Sequence, residues 1–197
     1  MRSSFYDDLT KEKQLGTFLD RLYDRHLSQY TFERVNAMER QHQGIDLIFQ
    51  HKVTQKTYTI DEKAQLDYIN EDLPTFAFEL SYFKNGLKKT GWLFDTNKKT
   101  DFYALITGIY RDVPNQFTSA KITLVNRARL LDFLKERKIT SATGDGIKTH
   151  GQFIIPHLCA KNEGYLFHSK TNKAETPLNL ILRLEFLIQL GVAKRLA

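Results

Sequence analysis

Two apolar, β-branched runs early in the chain each carry a charge where a core-facing strand should hold none. The first reads Ile45-Asp46-Leu47-Ile48-Phe49 and the second Tyr58-Thr59-Ile60-Asp61-Glu62-Lys63. An ionised side chain is costly to bury unless it is paired, hydrogen-bonded or bound to a metal. Any fold for this chain must therefore supply partners for these charges. The polar stretch Lys52–Lys56 between the runs reads as a turn, so Ile45–His51 and Thr57–Lys63 form a hairpin. Strand alternation then sends Tyr58, Ile60 and Glu62 to one side, and Thr57, Thr59, Asp61 and Lys63 to the other.

Around this hairpin the spacing predicts a helix from about Lys13 to Gln29, on Leu15, Phe18, Leu19, Leu22, His26 and Tyr30. Residues 1–12 read as a loose or docking N-terminal arm, and His26 as a packed, hydrogen-bonded histidine. Phe32–Arg40 fits either a helical extension or a short strand. Further strands are expected at Thr75–Tyr82, Asp101–Tyr110, Lys121–Val125 and Phe153–Pro156, with a tight turn at Asn85-Gly86. Asn126 is placed to cap a helix from Arg127 to about Arg137. Thr140–Gly151 reads as a loop. Thr176-Pro177 has the form of a helix start, and the leucines and isoleucines after it predict a buried final helix. With no repeat and no low-complexity linker, the reading is one domain over 1–197. Its fold class is α/β, a central mixed sheet flanked by helices.

The length suffices for a sizeable core. A net charge of +6 and a pI near 9.3 favour a polyanionic partner, nucleic acid first. The single cysteine, Cys159, excludes an internal disulfide and a multi-cysteine zinc site. No apolar run approaches the ~20 residues of a membrane span. The polar N-terminus lacks a signal-peptide core, so a cytoplasmic location and no membrane partner are expected.

Hydrolysing a phosphodiester near neutral pH needs a hard divalent cation on the phosphate, an activated water and neutralisation of developing charge. Magnesium takes one or two carboxylates and fills its other positions with water and phosphate oxygens. Asp46 and Asp61 can supply those carboxylates from adjoining strands. Lys63 shares the Asp61 face and can orient water or stabilise the phosphoryl charge. The main-chain carbonyl of Glu62 offers a further oxygen.

Asp46 followed fifteen residues later by Asp61-Glu62-Lys63 resembles the PD-(D/E)xK nuclease superfamily. The resemblance covers about residues 13–110 and leaves 111–197 as a C-terminal elaboration. It implies a restriction-endonuclease-like core of helix, three strands, helix and fourth strand. It also implies a Mg2+ (or Mn2+) cofactor and cleavage of DNA, less often RNA. Glu39 (or Glu33) resembles the glutamate many members carry ahead of the hairpin, and Gln65 a glutamine some carry after the lysine. Two features depart from the pattern: Ile45 stands where proline is often found, and no helix reads between the third and fourth strands.

Lys84, Lys88, Lys89 and Trp92 suit tracking of phosphates and stacking on bases. Their bland alternative is a solvated loop with Trp92 in the core. Asp61 and Lys63 have a bland reading as well, a surface ion pair of little worth. Two other functions stand beside the nuclease: a non-catalytic nucleic-acid-binding module, and a structural protein or homodimer built on the apolar C-terminal helix.

Overall fold

The computed structural model describes residues 2–113, 116–170 and 175–197. In chain order its main elements begin α1 Arg2–His26, β1 Tyr30–Arg34, α2 Met38–His42, β2 Leu47–His51, β3 Thr57–Ala64, β4 Thr75–Lys84 and β5 Leu87–Thr90. They continue β6 Phe102–Val113, β7 Gln116–Asn126, α3 Arg127–Glu136, β8 Gly151–Phe153, β9 Gly164–His168, β10 Glu175–Arg183, α4 Leu184–Gln189 and β11 Ala193–Arg195. The backbone divides into two compact units. The first comprises Met1–Leu73, Thr100–Leu124 and Lys194–Ala197, and the second Pro74–Lys99 and Val125–Ala193.

The core of the first unit lies between α1 and a six-stranded mixed sheet of order β1-β2-β3-β6-β7-β11. Leu15, Leu19 and Tyr23 recur every four residues and are buried against Leu47, Phe49, Ile60, Ala104 and Ile106. Tyr23 packs edge-on to Phe49 and Phe32, with ring centroids 5.3 and 5.7 Å away. The helix starts at Arg2, so residues 2–12 of the stretch expected as a loose or docking arm are instead part of α1. His26 ends the helix exposed rather than packed. The ambiguous stretch after it splits into β1 and the short α2.

The hairpin forms as expected, with β2 antiparallel to β3 and Leu47 opposite Ile60. The other neighbour of β3 is β6, in parallel, with Asp61 opposite Tyr103 and Lys63 opposite Leu105. Covered on both faces, β6 is buried almost continuously from Tyr103 to Ile109. The coarse expectation of an α/β chain with a mixed sheet therefore holds. The third expected strand differs: β4 belongs to the other sheet and does not follow the hairpin into this one.

The second unit is built on an antiparallel sheet of order β5-β4-β10-β9-β8. Asn126 caps α3, its side-chain oxygen accepting from the Arg129 N–H at 3.0 Å. The expected C-terminal helix does not form over residues 175–183. Residues 175–183 form β10, an inner strand paired with β4 and β9, and only Leu184–Gln189 is helical. Leu178, Leu180 and Leu182 point to the packed face, while Asn179, Ile181 and Arg183 are only half-buried. The apolar residues follow period two, and pairing on both edges overrides the helix-start signal of Thr176-Pro177. The dimer contact offered as the alternative for that helix loses its element. Among the described residues no helix is long and apolar enough to cross a membrane.

Candidate active site

Asp46 enters the sheet just ahead of β2. Its N–H donates to the Ile60 carbonyl at 2.8 Å and its carbonyl accepts from the Val35 N–H at 2.8 Å, which fixes it between β1 and β3. One carboxylate oxygen accepts from the main-chain N–H of Glu62 at 2.8 Å. Burial, then the neighbouring Asp61 carboxylate, raise the Asp46 pKa to about 7, against the opposing pull of Lys63 and the Glu62 N–H.

Asp61 is 1% exposed. Lys63, two residues on and on the same strand face, places its ammonium on Asp61 Oδ1. The other oxygen, Oδ2, is buried and has no hydrogen-bond partner. A buried acceptor left unsatisfied is costly, so this atom is free to meet a cation. The structure thus brings Asp46, Asp61 and Lys63 together.

Glu62 faces the other way. Its carboxylate accepts from the Tyr23 hydroxyl at 2.7 Å and from Arg34 Nη1 at 2.6 Å. Arg34 also bonds Asp20 Oδ1 through Nε at 2.8 Å and the Gly16 carbonyl through Nη2 at 3.1 Å. Burial works against the Arg34 charge, but the hydrogen bonds and charges of Glu62 and Asp20 outweigh it and raise its pKa. Burial, followed by Glu62, raises the Tyr23 pKa well above that of a free phenol. The side chain of Glu62 is therefore committed to a brace joining α1, β1 and β3, and its main chain is the part that serves Asp46.

A cleft of about 500 Å³ opens beside these residues. Asp46, Glu62 and Lys63 lie on its wall, with Glu12 and Gly16 from α1, Arg34, Asn36 and Gln41. Asp61 is not on the wall. Glu12, Asn36 and Gln41 carried no signal in the sequence: Glu12 fell in the stretch read as a loose arm, and the others fell outside any pattern. Gln41 is held by its own bond to the Val35 carbonyl at 2.8 Å. Glu39 sits exposed in the first turn of α2, and Gln65 follows β3 with its N–H on the Ile106 carbonyl at 3.0 Å; neither lines the cleft. Lys84, Lys88, Lys89 and Trp92 lie in the second unit. Lys84 pairs with Glu175 at 2.8 Å and Lys88 with Asp145, Lys89 is exposed, and Trp92 packs on Phe78 at 5.6 Å.

Among the described residues no group of three or more His, Cys, Asp and Glu side chains could hold a metal ion. Two carboxylates suffice for a water-rich magnesium site. The unpartnered Asp61 Oδ2 beside the Asp46 carboxylate fits such an ion by the chemistry of its donors. No protein-family model, curated protein or solved structure matches the chain.

Proposed function

We propose that the chain is a metal-dependent nuclease of the PD-(D/E)xK type that hydrolyses phosphodiesters, DNA first. The observation that carries this is the buried Asp61 carboxylate, one oxygen on Lys63 and the other without a partner, with Asp46 beside it. Asp46 and Asp61 would hold Mg2+ or Mn2+. When bound, the cation supplies a Lewis acid for the phosphoryl group and acidifies water. The chain's own residues do the rest. The Glu62 N–H holds Asp46 in place, and the Arg34–Glu62–Tyr23 brace holds β3 in register. Lys63, 28% exposed at its side chain, can leave Asp61 to orient the attacking water or neutralise the pentavalent phosphate.

The test is a magnesium and manganese titration against a mixed DNA and RNA panel, comparing wild type with Asp61→Ala and Lys63→Ala. Cleavage by wild type and its loss in both variants is the expected result; equal cleavage by all three removes the site. A second reading, a nuclease fold that binds nucleic acid without cutting it, draws on the Lys63–Asp61 pair and the lack of a third acidic ligand among the described residues. Salt-sensitive binding with no metal-dependent cleavage would select it.

A further inference from the structure

The basic surplus of the chain is not shared between its two units. The first contains 14 Lys and Arg against 15 Asp and Glu, a net of −1; the second contains 15 against 8, a net of +7. The second unit also presents a sheet with one packed face and one open face. Leu166, Leu178, Leu180 and Leu182 fill the packed side. Strand alternation sends Tyr165 and Phe167 of β9 to the other side, where both rings are only half-buried.

The register sets what surrounds those rings. Tyr165 lies across from Ile181 and Phe167 across from Asn179 on β10, so their flanks on that strand carry no charge. His150 stands edge-on to Phe167, with centroids 5.3 Å apart. Half-buried Arg183 follows Ile181 at the next same-face position of β10. On the far margin of the sheet, half-buried Tyr82 of β4 pairs with exposed Lys89 of β5. Two acids share this face: Glu79, opposite Asn179, and half-buried Glu175, which pairs with Lys84, so Lys89 and Arg183 are the cations offered to phosphates.

We propose that this open face is a stacking platform for single-stranded nucleic acid, with Tyr165, Phe167 and Tyr82 receiving bases and Lys89 and Arg183 receiving phosphates. Same-side neighbours along a strand are about 7 Å apart, room for one base on each ring of β9. A duplex hides its base faces in its own stack, so half-buried rings on a sheet face select unpaired strands. The net charge of the unit supplies the sequence-independent attraction. The platform stands whether or not the first unit cuts, and it narrows the substrate of a nuclease to strands with unpaired bases.

The experiment uses the full chain in EDTA, where cleavage is silent. Anisotropy of a fluorescein-labelled oligo-dT strand is compared with that of a duplex of equal length over a range of salt. Wild type should bind the single strand more tightly, with an affinity that falls as salt rises. Tyr165→Ala and Phe167→Ala should each weaken that binding by about 10-fold. Tyr165→Phe and Phe167→Tyr should restore it, and Lys89→Gln should lower the salt slope by about one. Circular-dichroism melts identify any variant that has unfolded; for such a variant the surface changes Lys89→Gln and Arg183→Gln carry the comparison. Equal binding of duplex and single strand, or wild-type affinity in folded alanine variants, overturns the platform. Asp61→Ala should bind as wild type does, so loss of cleavage and loss of binding separate the two sites.

Discussion

At the scale of single residues, Asp61 and Asp46 are two carboxylates in one small space, and they divide the labour unequally. Asp61→Asn removes the charge that a cation would need and spares the volume. Cleavage should fall by about 100-fold or more, while urea melts in metal-free buffer shift by no more than about 1 kcal/mol, because the lost Lys63 pair is partly wet. Asp46 makes a prediction about pH. Its folded pKa lies at about 7, raised by burial and by Asp61, whereas an unfolded aspartate titrates at about 3.9. Between those values the folded chain keeps a proton that the unfolded chain has released. Stability of the metal-free protein therefore declines as pH rises from about 4 to about 7. Water on the exposed side of Asp46 limits the loss to about 1–2 kcal/mol. Asp46→Asn should flatten that decline in urea titrations run with EDTA. The convergence of Asp46, Asp61 and Lys63 was legible in the sequence because it needs only a hairpin and strand alternation. The brace on Glu62 was not, since Arg34 and Tyr23 stand 28 and 39 residues away and no local pattern marks them.

At the scale of elements, the brace ties one helix to two strands. Arg34→Ala leaves Glu62 and Asp20 without their cation, and Glu62 is 14% exposed at its side chain. The expected cost is about 2–4 kcal/mol in denaturant melts, with Arg34→Lys recovering little because one ammonium cannot reproduce the fork. Strand β10 explains the main misreading. Leucines at 178, 180 and 182 satisfy period two, but the isoleucine between them and the apolar residues after them complete a helical spacing too. The sequence is ambiguous there, and only pairing with β4 and β9 decides it. The strand assignment predicts a contrast between neighbours: Leu180→Ala should cost about 2–5 kcal/mol, and Ile181→Ala about 1 kcal/mol, because Leu180 is fully buried and Ile181 is not. Equal costs in thermal melts would count against the strand. The first twelve residues misled for a different reason. They hold too few apolar residues to show a periodic stripe, and a helix of this length draws its stability from Leu15, Leu19 and Tyr23 further along.

At the scale of the whole molecule, charge and chemistry occupy different units. The acids of the candidate active site belong to a unit with a net of −1, and the cations that would attract a polyanion belong to one with a net of +7. Arg183→Gln, in the second unit, should reduce the salt slope of nucleic-acid binding by about one. Lys52→Gln, in the first, should leave it unchanged in the same anisotropy titration. Composition showed the surplus but not its location, because the partition follows a chain path that crosses between units. That path has a further result. The first unit is gathered from three separate stretches, and its last backbone bonds run from Leu196 to the Ile122 carbonyl and from Ile122 to the Ala197 carbonyl. A gene fragment ending at Leu73 would encode Asp46, Asp61 and Lys63 yet omit β6, the strand that walls them in. The candidate motif is contiguous in sequence, but it is not a cassette that can be transplanted by itself.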